Sequence, residues 1–83
     1  MEYLIDVRTP EEFFDDHYDG AVNHELLLFE DELLPEYSKD ADIYLYCRSG
    51  KRAERARKIM LDAGFKNVVN LGGYNPELDK EEE

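Results

Sequence analysis

Ile43-Tyr44-Leu45-Tyr46-Cys47-Arg48-Ser49-Gly50-Lys51-Arg52-Ala53 decides the fold of this chain, because the hydrophobic pattern changes period partway along it. Its first four residues are apolar or aromatic without a break, the pattern of a strand buried on both faces of a parallel sheet. From Ala53 onward the period becomes helical. Ala53, Ala56, Met60 and Ala63 recur at spacings of three, four and three and share one helix face. Gly64 stands where a left-handed residue would end that helix.

Towards the N-terminus, Tyr3-Leu4-Ile5-Asp6-Val7 is a second short, β-rich run. Thr9-Pro10-Glu11-Glu12 then starts a helix. Thr9 is the N-cap, Pro10 takes the first helical position, and Glu12 completes a capping box. The helix should run about two turns, with Phe13 or Phe14 turned inward. Asp19-Gly20 makes a turn into a short strand at Ala21-Val22-Asn23. Apolar residues at 26, 27, 29, 33 and 34 predict a helix over Leu26 to Leu34, with Pro35 near its end. Towards the C-terminus, a strand is centred on Val68-Val69 within Phe65 to Leu71, followed by a turn at Gly72-Gly73. Residues 75–83 are dense in charge and predict a frayed tail. Strands alternating with helices give one α/β domain over residues 1–83, a roughly four-stranded parallel sheet flanked by helices. Neither an internal repeat nor a linker is visible.

The chain has 83 residues and a net charge of −11, which argues against nucleic acid or an anionic membrane as partner. No apolar run approaches the ~20 residues of a membrane span. The charge is unevenly placed. Residues 1–46 carry fourteen acidic side chains against Arg8 and Lys39, whereas residues 47–66 carry seven basic and two acidic ones. The cationic island opens at Cys47, the one cysteine, which excludes an internal disulfide. A cysteine-based zinc site is excluded as well, since only His17 and His24 could join Cys47 and their spacing matches no metal motif.

Cys47-Arg48-Ser49-Gly50-Lys51-Arg52 lies at the carboxyl end of a strand, where open α/β sheets bind ligands. A tight loop entering a helix points successive N–H groups at one spot, and the helix dipole adds positive potential there. Arg48, Lys51 and Arg52 add formal charge. Gly50 suits a need for positive φ or close backbone approach, and Ser49 either caps the helix or donates to a bound sulfur. This is the environment a thiolate nucleophile needs. The plainer reading of a lone cysteine, a small buried apolar residue, stands beside it.

Four blocks carry a resemblance: Leu4-Ile5-Asp6-Val7-Arg8-Thr9-Pro10-Glu11-Glu12-Phe13; His17 with Gly20-Ala21-Val22-Asn23; Tyr46 through Arg52; and Gly64-Phe65 through Val68 to Asn70-Leu71-Gly72-Gly73. In this order they resemble the rhodanese homology domain, and the shortness of the chain at both ends makes it similar to the phage shock protein E type. The resemblance implies a sulfurtransferase. Cys47 would be the catalytic nucleophile, taking a sulfane sulfur from a donor such as thiosulfate and passing it from a persulfide to cyanide or a thiol. Arg48, Ser49, Gly50, Lys51 and Arg52 would bind the substrate. No metal or organic cofactor is implied, and the chain is expected to act as a monomer. Members of that type are exported and lose a signal peptide, so a periplasmic location is expected if a signal peptide preceded Met1 and a cytoplasmic one otherwise. Phosphatases related to this family use a longer loop whose arginine would stand at 53, where this chain has alanine. A persulfide carrier or redox binding module with little small-molecule turnover is the alternative function.

Around the loop, Asp6 reads as a hydrogen-bonded structural carboxylate and Arg8 as the partner of Glu11 or Glu12. His17 reads as a turn or packing residue, while His24 occupies a place where the family has an apolar side chain. Tyr44 and Tyr46 should pack their rings and seek partners for their hydroxyls. Arg55, Arg57 and Lys58 predict a solvated face paired with Glu54 and Asp62. The acidic segment 30–42 reads as solvated surface, with a docking face for a basic partner as its functional alternative.

Overall fold

The computed structural model describes residues 1–75. The expected tail therefore lies, from residue 76 onward, outside the described residues. Seven elements follow one another: β1 (Glu2–Asp6), α1 (Pro10–Asp15), β2 (Val22–Asn23), α2 (Leu26–Glu30), β3 (Asp42–Cys47), α3 (Lys51–Asp62) and β4 (Asn67–Gly73). The strands form one parallel sheet in the order β2-β1-β3-β4, with Ile5 opposite Leu45 and Ile43 opposite Val68. The expected α/β class and strand number both hold.

The buried runs explain the order. Ile5 and Val7 of the first strand segment and Ile43, Leu45, Tyr46 and Cys47 of β3 are essentially inaccessible, as parallel strands covered on both faces must be. Phe29 from α2, Ala53, Ala56 and Met60 from α3, and Phe65 complete the core. The small residues at 53 and 56 let the first turns of α3 approach the sheet closely, which brings the helix start next to the end of β3.

α1 begins as its sequence dictates. The Glu12 N–H donates to Thr9 Oγ1 at 3.3 Å, and Glu12 Oε1 accepts the Thr9 N–H at 3.0 Å. Phe13 is the inward ring, stacked on His17 at 3.7 Å, while Phe14 is 81% exposed.

Three expectations change. α2 stops at Glu30 instead of Leu34, because the chain turns through Glu32 in a left-handed conformation (φ 65) and leaves Leu33 exposed. Ala63 is the exposed C-cap of α3, so the buried face ends at Met60, with Ile59 partly buried beside it. Gly72 and Gly73 continue β4 past the expected turn, and Cys47 pairs with Gly73 across a register shift.

The acidic connection after α2 is anchored through Tyr37 and Leu34, which pack against the core. Tyr37 stacks on Tyr3 with ring centroids 3.6 Å apart, so part of segment 30–42 packs against the sheet while most of its carboxylates remain exposed.

Candidate active site

β3 ends on Cys47, and the backbone swings through Arg48, Ser49 and Gly50 into α3. Gly50 is the N-cap, left-handed at φ 93, and a Cβ placed there would sit 3.3 Å from Gly72 Cα. Glycine meets both demands at once. Capping thus falls to Gly50 and not to Ser49, which lies exposed on the loop.

The loop curls over the cysteine sulfur. The Gly50 N–H donates to Cys47 Sγ at 2.9 Å and the Ala53 N–H at 3.4 Å. Both donors belong to the start of α3, so the orphan N–H groups of a helix terminus and its dipole act on the sulfur together. Cys47 itself has no exposed surface.

The bonds made by the loop arginines run to Glu12. Arg52 makes a two-pronged bond to Glu12, with Nη1 to Oε1 at 2.8 Å and Nη2 to Oε2 at 3.1 Å. Arg48 approaches the same carboxylate at 3.8 Å with its side chain 76% exposed, and Lys51 is exposed at the first position of α3. Glu12 therefore closes the capping box of α1 and clamps the far end of the cysteine loop. The Arg52 bond, the Thr9 N–H and the nearby positive charge hold its carboxyl down at about 2.

Three further residues brace the loop. Asn70 Nδ2 donates to Gly50 O at 3.0 Å and to Glu54 Oε1 at 3.2 Å, while its Oδ1 accepts the Gly72 N–H at 2.8 Å. Gly73 passes so close that an added Cβ would overlap the Arg48 carbonyl oxygen. The Tyr74 N–H donates to Cys47 O at 2.6 Å. Sequence reasoning placed none of these three in the site. Their one signal was that Asn70 to Gly73 falls in a strand next to β3, and which loop atoms they meet depends on the register shift.

Arg8 is the correction nearest the site. Its guanidinium pairs with Asp6 at 2.7 Å and not with Glu11 or Glu12, and it also donates to Asp16 O at 2.7 Å. Both members are buried, and the Arg8 pKa is raised above its ordinary value, first by the hydrogen bond to Asp6. Asp6 is thus the structural carboxylate expected. Tyr46 is fully buried, its hydroxyl accepts the Tyr18 N–H at 3.1 Å, and burial pushes its own ionisation upward. His17 is held locally by Phe13 O at 2.7 Å. His24 gains a role: Nε2 lies 2.6 Å from Leu33 O and its ring meets Phe29 edge-on, tying the end of α2 to the sheet. On α3, Arg57 pairs with Glu54 as expected, whereas Arg55 reaches across to Glu30.

A polar recess of about 460 Å³ opens beside the loop between Arg8, Glu12, Asp15, Asp16, Arg48 and Tyr74. A larger groove lies between α2 and α3, away from the cysteine. Among the described residues, no cluster of side chains has the makings of a metal site, and no helix is long and apolar enough to cross a membrane.

The sequence profile of the rhodanese-like domain matches residues 1–76. The chain belongs to the rhodanese-like family. It is 32% identical over 73 residues to the thiosulfate sulfurtransferase PspE of Escherichia coli, covering 87% of this chain and 70% of PspE. A second relative, YrkF of Bacillus subtilis, is provisionally named a sulfur carrier protein; the match is 37% identical over 68 residues but spans only 36% of YrkF. Among solved structures, a rhodanese with anions from E. coli superposes with a TM-score of 0.77 at 32% identity, covering 88% of this chain and 87% of that one. The rhodanese-like domain of the Alr3790 protein from Anabaena gives a TM-score of 0.81 at 25% identity, covering 96% and 81%. This rhodanese-like domain is thus of a sulfurtransferase family, and its cysteine loop lies at the carboxyl end of β3.

Proposed function

We propose that the protein moves sulfane sulfur from a donor such as thiosulfate to a thiol or to cyanide, with Cys47 as the nucleophile. The observation that carries this reading is the pair of N–H groups, from Gly50 and Ala53, aimed at Cys47 Sγ. The thiolate attacks the outer sulfur of thiosulfate, a new S–S bond forms, and sulfite leaves with the electron pair of the bond that breaks. Cys47 then carries a persulfide whose terminal anion lies over the same loop. An acceptor thiolate or cyanide attacks that terminal sulfur, and Cys47 leaves as the thiolate, which closes a two-step covalent cycle.

The cycle starts from the thiolate and employs no side chain as a base. The loop runs from Cys47 to Arg52, and Ala53 stands where the longer phosphatase-type loop has its arginine, which supports sulfur over phosphate as substrate. Similarity to YrkF supports a second reading, in which the domain receives its persulfide from a protein and turns over small donors slowly.

Incubation with thiosulfate followed by intact-mass measurement tests both. Under the first reading the wild type gains about 32 Da, the mass of one sulfur atom and the atom its covalent intermediate must carry, and Cys47→Ser gains nothing. Cyanide should then release thiocyanate and restore the starting mass. A wild type that gains no sulfur from thiosulfate but accepts it from a protein persulfide would establish the carrier reading. A wild type that gains none from either would end both.

A further inference from the structure

The groove between α2 and α3 has a volume of about 540 Å³, and the sulfur chemistry does not use it. Leu34, Ile59 and Ala63 supply its apolar lining over the buried Phe29. Glu30, Glu32 and Asp62 stand along it with a single cation, Arg55, which is already 3.6 Å from Glu30. Leu33, next to this lining, is 58% exposed. An apolar channel between two helices with uncompensated carboxylates beside it is the complement of an amphipathic helix that carries basic residues around an apolar stripe.

Glu32 sharpens the case. It is the one non-glycine residue of the described chain with positive φ, at 65°. Glycine would take that conformation without a steric penalty, yet the position holds a carboxylate facing the groove. The segment that follows is also acidic, with Glu36, Asp40 and Asp42 against Lys39.

We infer that the α2–α3 groove is a docking site for a basic amphipathic helix of a partner protein. Ile59 lies on the order of 12 Å along α3 from Lys51, at ~1.5 Å per residue. A partner seated there leaves the cysteine loop uncovered while remaining close enough to present a thiol or persulfide to it. The inference does not depend on which sulfur donor the loop accepts.

A synthetic peptide with Leu at i, i+3, i+4 and i+7 and Lys on the remaining face serves as the probe, with amide chemical shifts of the labelled protein as the readout. Shifts confined to Phe29, Glu32, Leu34, Ile59, Asp62 and Ala63, and an affinity that falls as salt is raised, are expected. A companion peptide with Ala in place of Leu should bind at least several-fold more weakly. Glu32→Gly separates binding from folding: thermal stability should rise as the strain is relieved, while peptide affinity falls several-fold. Glu32→Gln with Asp62→Asn should weaken binding without altering the melting temperature greatly. The proposal is overturned if shifts spread over all acidic faces or centre on the Cys47 loop. Equal binding of the Ala peptide, or unchanged affinity in both variants, overturns it too. Concentration-dependent dimerisation in sedimentation, with shifts at the same residues in the absence of peptide, would assign the groove to a second copy of the chain instead.

Discussion

At the residue scale, two charged pairs hold the site in place for different reasons. Asp6 and Arg8 are both buried, so neither tolerates the loss of the other. Asp6→Asn is expected to cost ~3–5 kcal/mol, the range for leaving a buried charge unpaired, measured as a drop in unfolding free energy. Glu12 and Arg52 are more open and link α1 to the cysteine loop. The Glu12 carboxyl is lowered from 4.5 to about 2, chiefly by Arg52. A depressed folded-state pKa stabilises the fold above the unfolded value and loses that contribution as pH falls through the folded one. Wild type should therefore lose about 1–2 kcal/mol relative to Glu12→Gln, discounting for solvent screening, as acid denaturation is followed from pH 4.5 to about 2. The clamp stays ionised throughout neutral pH, so no inflection in turnover above pH 5 should move in this variant. A variant whose stability difference from wild type is flat across the acid range would refute the assignment.

At the scale of elements, the junction of β3, α3 and β4 is built on glycine because three backbones meet there. The side-chain hydrogen of Gly73 is all that fits against the Arg48 carbonyl. Gly73→Ala should cost ~1–3 kcal/mol as overpacking, and the displaced loop should lower turnover more than the stability loss alone explains. Thermal unfolding alongside thiosulfate turnover, assayed well below the melting temperature, distinguishes the two effects. Unimpaired turnover in a destabilised protein would show that the loop does not depend on β4. The short α2 carries a related lesson: its apolar period runs on to Leu34, but the left-handed turn at Glu32 ends the helix after Glu30.

At the scale of the whole molecule, the proposed thiosulfate chemistry requires an acidic protein to admit an anion. The cationic island counters this less than its residue count suggests, because Arg52 is committed to Glu12, Arg57 to Glu54 and Arg55 approaches Glu30. Among the described residues, the hydrogen bonds given to the sulfur come from backbone N–H groups. These short-range donors are little affected by salt, whereas repulsion from the net charge of −11 is screened beyond ~10 Å at 0.1 M. The apparent KM for thiosulfate is thus expected to fall as salt rises from about 0.01 to 0.1 M, where the screening length shortens from ~30 to ~10 Å. A KM that rises steeply over this range would show that long-range attraction by the island governs capture.

By itself the sequence determined the alternation of strands and helices, the start of α1, the small face of α3 and the placing of Cys47 at a strand end before a helix. Each of these is written in residues near one another in the chain: a hydrophobic period, a capping box, a glycine at a helix boundary. Only the tertiary structure decided which charges meet. Arg8 turns to Asp6 because both are buried together between strand and loop, and Arg52 crosses forty positions to Glu12 because sheet order sets α1 beside the start of α3. The bracing of the loop by Asn70, Gly73 and Tyr74 rests likewise on the register of β4 against β3. Pairings of this kind follow from strand order and register, which the local pattern of any single segment does not contain.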